Sequence, residues 1–216
     1  MKIDLEKILK IKTPLDGINP KKREKIIIAA IDEFADVGFE LASTNRIAKR
    51  AGIAKGALFK YFKTKEKLFL AITDDLLRGL IGYLMKRVTE QKNDILELYI
   101  NAVEELYTYF KGNLKMFKFF KMIMTERAGE VYTKLRKKWM PLMEPMLAAL
   151  MKGVDTSNLS ISVPELAKLF MWLDAGLDTD MMATVTPNTT VDEMLKLYRK
   201  NLTIVKKVLK KGIYKR

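Results

Sequence analysis

Between Ser43 and Tyr61 the chain has little freedom: it must form two short helices with a tight turn between them. Ser43 is suited to cap the first helix by accepting a hydrogen bond from a free backbone N–H. Ile47 and Ala48 supply that helix's inner face, and Gly52 stands where the chain leaves it. A left-handed residue costs glycine nothing at such a position. Residues 55–61 then form a second helix, with Leu58 and Phe62 four apart on one face and Lys55, Gly56 and Ala57 in the first turn. Helices joined in this way form a helix-turn-helix, whose second helix can lie in the major groove of DNA.

The flanking sequence keeps a helical period throughout. Residues 21–37 predict a helix with Ile27, Ala30, Ile31 and Phe34 inward, ended by Gly38. Thr64 caps a long helix over 65–87, with Leu68, Ile72, Leu76 and Leu80 along one side. Further helices are expected over 93–111, 114–125 and 130–151; Pro141 and Pro145 should interrupt and kink the last of these. Ser162 with Glu165, and Thr190 with Glu193, have capping-box spacing and open the final two helices. No strand pattern exceeds a few residues. The expected fold is all-α, with a three-helix DNA-binding domain and a helical bundle of about six helices. In residues 1–19, Leu5, Ile8 and Leu9 form a short stripe. It reads as a small helix packed on the body or a mobile arm, against the alternative of a basic arm touching DNA.

Composition narrows the chemistry. Among 216 residues there is no cysteine and no histidine. That removes disulfides, thiolate sites, Ser–His and Cys–His pairs and Glu-x-x-His metal motifs. No catalytic residue, metal site or cofactor is therefore expected, and an enzyme is set aside. A formal charge of +14 favours polyanionic partners, nucleic acid first and anionic membrane second. The basic residues are spread over several helices, which disfavours a membrane-surface role. No apolar run is long enough to span a bilayer, and the N-terminus lacks a signal-peptide pattern, so the cytoplasm is expected.

Residues Ile26, Ala29, Ala30, Phe34, Gly38 and Phe39, followed by Ser43, Ile47, Ala48, Ala51, Gly52, Lys55, Gly56, Phe59, Tyr61, Phe62, Lys65, Glu66 and Leu68, carry a resemblance. In their unbroken spacing, residues 26–70 resemble the DNA-binding domain of the tetracycline-repressor (TetR) family of transcription regulators. The resemblance implies an N-terminal extension (1–19), a helix-turn-helix DNA-binding domain (20–66) and a ligand-binding and dimerisation domain (67–216). It implies phosphate contacts from Ser43, Tyr61 and Lys65, close approach of the duplex at Gly56, and base reading by Thr44, Asn45, Lys55, Ala57 or Lys60. Three positions depart from the family's habit. Ala57 stands where a hydroxyl is frequent, and Phe59 where Tyr is frequent. Arg46 stands where an acid closes the capping box; it reads as an extra phosphate contact, since a cation at a helix start is otherwise unfavourable.

For a small, largely apolar ligand the candidates are Phe110, Phe120, Met124, Trp139, Met143, Trp172, Asp174 and Asp178. Each apolar member is also a natural core residue, and whether an open pocket exists is left to the structure. Asp174 and Asp178, one turn apart on an apolar helix, read either as an exposed polar edge or as a contact for a cation. The resemblance further implies a homodimer through the last two helices, matched to a palindromic operator, with repression relieved by the ligand. The alternative is a DNA-binding dimer with no small-molecule inducer.

Overall fold

The computed structural model describes residues 10–213 apart from 89–93, 125–128, 152 and 187, and for residues 88, 140, 143–150 and 182 the backbone alone. Residues Leu5, Ile8 and Leu9 thus lie outside the described residues. Among the described residues the chain is helical, as expected. A 3-10 turn, Pro14–Gly17, is followed by α1 (Pro20–Leu41), α2 (Thr44–Ala51), α3 (Lys55–Phe62), α4 (Lys65–Val88) and α5 (Ile95–Tyr109). Then come α6 (Leu114–Met124), α7 (Glu130–Leu150), α8 (Val163–Thr184) and α9 (Val191–Gly212). They form two compact units, one of residues 1–83 with 113–148, the other of 84–112 with 149–216. The segment 20–66 falls wholly in the first.

In the first unit, α1 buries Ile26, Ala29, Ala30, Ile31 and Phe34. Ile26 rather than Ile27 leads the inner face. Helical bonding runs on to Leu41, but Gly38, at φ 73° and ψ 174°, breaks the helical course. Glycine reaches that conformation without a Cβ clash. Phe34 packs edge-on against Phe69 of α4 with centroids 5.0 Å apart, and Phe69 against Phe119 of α6 at 5.5 Å. Burying an aromatic ring of this kind is worth about 1.5–3 kcal/mol, so this cluster secures α1 to α4 and α6. Ion pairs add ties at the helix edges, Lys115 of α6 on Asp36 of α1 and Lys134 of α7 on Glu66 of α4. Asp74, itself buried, accepts bonds from Trp139 Nε1 at 3.0 Å and Lys138 Nζ at 2.6 Å. Across Pro141 and Pro145, α7 runs as one helical segment.

The turn before α1 is built in rather than loose. Thr13 and Asp16 form a capping box, and Leu15 is fully buried. Asp16 bonds Arg78 of α4 at 3.0 Å; Arg23 of α1 and Arg78 also share Asp75. Arg78 donates to the Ile11 carbonyl at 2.7 Å as well. The Arg78 bond holds the Asp16 carboxyl below its ordinary range. Residues 11–18 are thereby a fixed part of the first unit, and the turn packs against α3.

In the second unit, α9 packs on α5 and α8 through Val191, Met194, Leu195, Tyr198, Leu202 and Leu209. Both capping boxes form: Ser162 with Glu165 opens α8, and Thr190 with Glu193 opens α9.

Candidate functional site

The helix-turn-helix forms where the sequence calls for it. Ile47, Ala48 and Ala51 bury the inner side of α2. Gly52 takes the left-handed conformation, φ 66° and ψ 35°, and its N–H bonds the carbonyls of Ala48 and Lys49. Leu58 and Phe62 bury the inner side of α3, leaving Lys55, Gly56 and Lys60 exposed and Ala57 half-buried. A methyl group built on Gly56 would meet nothing within 4 Å. The fold therefore makes no demand for glycine at this position, whereas a nucleic-acid backbone lying against the helix start would.

At the start of α2 the expected cap is replaced. Ser43 occupies the capping position, yet its hydroxyl makes no cap bond. Its amide is taken instead by Glu33 of α1, through Oε1 at 2.9 Å. The same oxygen accepts Arg46 Nε at 2.7 Å, and Arg50 lies 3.7 Å from the other carboxylate oxygen. The Glu33 side chain is only 1% exposed. Burial opposes its charge, but the bonds from Arg46 and the Ser43 amide and the charges of Arg46 and Arg50 outweigh this, so its carboxyl sits below the usual carboxylate range. Arg46 also caps the Leu41 carbonyl at 2.8 Å. The positive charge at a helix start thus has a protein partner, with no need of a phosphate to explain it. Sequence reasoning passed over Glu33. The available signal was an acid interrupting the apolar stripe of α1, coupled to the odd arginine at position 46.

The other expected DNA contacts share the α2–α3 segment and its flank. Thr44 and Tyr61 are half-buried and Asn45 is exposed. Tyr61 rests against Phe62 with centroids 6.2 Å apart. Lys55 Nζ lies 5.7 Å from the centre of the Phe59 ring. Lys65 donates to the Glu40 carbonyl at 2.8 Å and lies over Phe39, so one of its three donors closes the end of α1. Lys63, which joins α3 to α4, adopts φ 63° without being glycine.

The ligand candidates are divided between the units. In the first, Phe120 is buried, Met124 is exposed and Trp139 is pinned to Asp74; the Met143 side chain lies outside the described residues. In the second, Phe110 is fully buried and Trp172 is 63% exposed, with Lys168 over its ring. Asp174 points inward: Tyr99 and Tyr198 each donate to its Oδ1 at 2.6 Å. Burial first, and the neighbouring Asp174 charge second, push both phenols well above their ordinary pKa. Asp178 is half-buried; after burial itself, its charge is the main cause raising the Tyr107 pKa. An open cleft of about 360 Å³ lies where α8 gives way to α9, lined by Met181, Thr184, Thr186, Asn188, Thr189, Glu193, Met194 and Leu197. None of the seven candidates whose side chains are described lines it.

Large apolar side chains are left exposed on the last two helices: Met171 and Trp172 of α8, Ile204 and Val208 of α9. Among the described residues, no helix is long and apolar enough to cross a membrane.

Residues 26–72 match the profile of bacterial regulatory proteins of the tetR family. The nucleoid occlusion factor SlmA of Haemophilus ducreyi is 27% identical over 100 residues, which cover 45% of this chain and 46% of that protein. The chain thus spans less than half the length of the curated relatives it matches in this way. Among solved structures, the fatty acid degradation regulator FadR from Bacillus halodurans aligns with a TM-score of 0.62 at 18% identity, covering 85% of this chain and 95% of that one. FadR from Bacillus subtilis, solved in complex with stearoyl-CoA, aligns with a TM-score of 0.61 at 15% identity, covering 81% of this chain and 94% of that one. At such identities the likeness is one of fold.

Proposed function

The chain belongs to the TetR family, and on that premise we propose that it is a homodimeric, ligand-responsive transcriptional regulator acting on a palindromic operator. The observation that carries this reading is the α2–Gly52–α3 arrangement, with Lys55, Gly56 and Lys60 exposed on a helix whose inner side is fully engaged. Base reading falls to Thr44, Asn45, Lys55, Ala57 and Lys60, with Ser43, Tyr61 and Lys65 on phosphates. Repression is the expected mode, relieved when a ligand binds the DNA-incompetent state more tightly than the competent one. Dimerisation through α8 and α9 is supported by the exposed Met171, Trp172, Ile204 and Val208. A two-fold dimer matches half-sites a helical turn, or a multiple of one, apart. The ligand is a small, largely apolar molecule. Long-chain acyl compounds are the first class to screen, because a structural neighbour was solved with stearoyl-CoA, whose acyl chain is the apolar part.

The test is selection from a random-sequence duplex pool, followed by fluorescence anisotropy of the enriched duplex over a salt series. Enrichment of an inverted repeat, bound by two subunits and preferred over a scramble, supports the reading. Equal binding to both duplexes with a steep salt slope overturns it, because only phosphate attraction is then at work. The second reading, a DNA-binding dimer without an inducer, is favoured by the packing of the candidates themselves: Phe110 and Phe120 are buried and Trp139 is bonded to Asp74. It is supported if neither stearoyl-CoA nor a panel of apolar ligands shifts Tm or releases DNA.

A further inference from the structure

In a capping box, the residue three positions into a helix reaches back to the amide of the capping residue. For α2 that residue is Arg46, which carries no acceptor and cannot do so. Glu33 performs the task from another helix, accepting the Ser43 amide at 2.9 Å, while Arg46 supplies the countercharge that lets a carboxylate stay buried there. The Ser43 hydroxyl, which in a complete capping box would turn inward onto the helix, makes no cap bond. Thr44 and Asn45 follow immediately, so the orientation of the whole DNA-facing start of α2 is set by one carboxylate on α1.

We propose that Glu33 is a positioning residue for DNA binding: it substitutes for the missing acid at position 46, fixes the start of α2 and leaves the Ser43 hydroxyl for a phosphate. Arg46 is then a strut to Glu33 and not a phosphate contact. This rests on the regulator reading above. It goes beyond that reading in moving a DNA-binding role onto a helix outside the helix-turn-helix and removing Arg46 from the phosphate contacts.

The test is a charge-neutral exchange. Glu33→Leu removes the acceptor and leaves Arg46 without its carboxylate. Adding Arg46→Gln restores an acceptor within α2, since glutamine serves in a capping box as glutamate does. Two quantities are read: hydrogen exchange of the Ser43 amide, which needs no DNA, and affinity with salt slope on the duplex that the wild-type protein enriches from a random pool. Glu33→Leu should lose Ser43 protection and weaken binding about tenfold, as expected for a lost helix cap. The double variant should recover most of both with the wild-type salt slope. Glu33→Gln, which keeps an acceptor oxygen, should keep Ser43 protected and serves if Glu33→Leu does not fold.

Three results overturn the proposal: wild-type binding by a folded Glu33→Leu, no recovery in the double variant, or loss of Ser43 protection in Glu33→Gln. A salt slope lower by about one in the double variant overturns the strut role, because it marks a lost phosphate contact. If the wild-type protein enriches no duplex, the regulator reading fails and takes the DNA half of the proposal with it. Ser43 exchange across the variants still decides whether Glu33 is the cap.

Discussion

The Oε1 atom of Glu33 lies 2.7 Å from Nε of Arg46, joining a buried position of α1 to the third residue of α2. The pair makes stability depend on acid. The Glu33 carboxyl is held below its ordinary value in the folded chain. Its contribution is therefore present above the unfolded carboxyl pKa of about 4.3 and is lost as pH falls through the lower folded value. Asp16, also lowered by its bond from Arg78, acts in the same direction and window. Tm measured from pH 6 to pH 3 should fall less steeply for Glu33→Gln than for wild type, by roughly 2–4 °C for each kcal/mol of linkage. Parallel curves would exclude Glu33 as an acid-sensitive group.

Gly56→Ala should separate stability from DNA binding. The position is exposed, within α3, and open to an added methyl group. Alanine in a helix is favoured over glycine by about 1 kcal/mol, so Tm should hold or rise. If a phosphate backbone lies against this turn, the methyl group occupies its place and affinity should drop about tenfold or more, a loss of one bound-state contact. Unchanged affinity would remove Gly56 from the interface.

Much of this was legible in the sequence because it rests on local chemistry. The left-handed Gly52, the capping boxes at Ser162 and Thr190 and the start of α4 after Thr64 are each set by residues within four positions of one another. The partners of charged groups were not legible in this way. Glu33 meets Ser43 and Arg46 only after α1 and α2 pack, and Asp16 meets Arg78 across 62 positions of sequence. Trp139 illustrates the same limit: its helical spacing reads equally as core or pocket, and its indole N–H, bonded to Asp74, fixes it as part of the packing. In the stripe of α1, Ala30, Ile31 and Phe34 are buried as expected, but Ile26 and not Ile27 leads it, because three consecutive isoleucines at 26–28 leave the first inward residue open until the helix meets its neighbours.

Lys63 offers a test of local strain. Its φ of 63° lies where a side chain is disfavoured, in the turn between α3 and α4. Lys63→Gly should raise stability by about 1 kcal/mol if the conformation is held by the fold. A lower Tm would mean that the side chain contributes more than the backbone loses.

The tyrosines of the second unit should resist ionisation. Tyr99 and Tyr198 share the Asp174 carboxylate, and burial with Tyr107 keeps all three protonated past the ordinary phenol range. Their raised folded pKa means that the associated stability is complete below the unfolded value of about 10 and is lost as pH rises above it. In an ultraviolet titration, those three of the chain's eight tyrosines should ionise only together with unfolding. Asp174→Ala sharpens the case. The two hydroxyls, 3.1 Å apart, can then bond one another, which leaves one donor without an acceptor. A single buried orphan of this kind costs about 1–3 kcal/mol. Asp174→Asn keeps a carbonyl oxygen in place and should cost less. Equal losses for the two variants would show that the carboxylate charge, and not the acceptor, is what the tyrosines require.

The exposed apolar side chains of α8 and α9 give the assembly prediction. Met171, Trp172, Ile204 and Val208 are each well over half exposed in the single chain. Large apolar groups left exposed on two packed helices are what the dimer surface proposed above would use. A second copy is the partner that an inverted repeat requires, because the two-fold of the DNA must be matched by one in the protein. Trp172→Glu together with Ile204→Glu puts unpaired charge into that surface and should shift sedimentation from dimer to monomer at micromolar concentration. The folded second unit should survive, since neither side chain is buried in the monomer. Affinity for the full inverted repeat should fall by orders of magnitude while binding to a half-site is kept, because one chain still presents one intact α3. A double variant that stays dimeric would place the interface elsewhere. One that is monomeric yet binds the full site at wild-type strength would uncouple dimerisation from operator recognition.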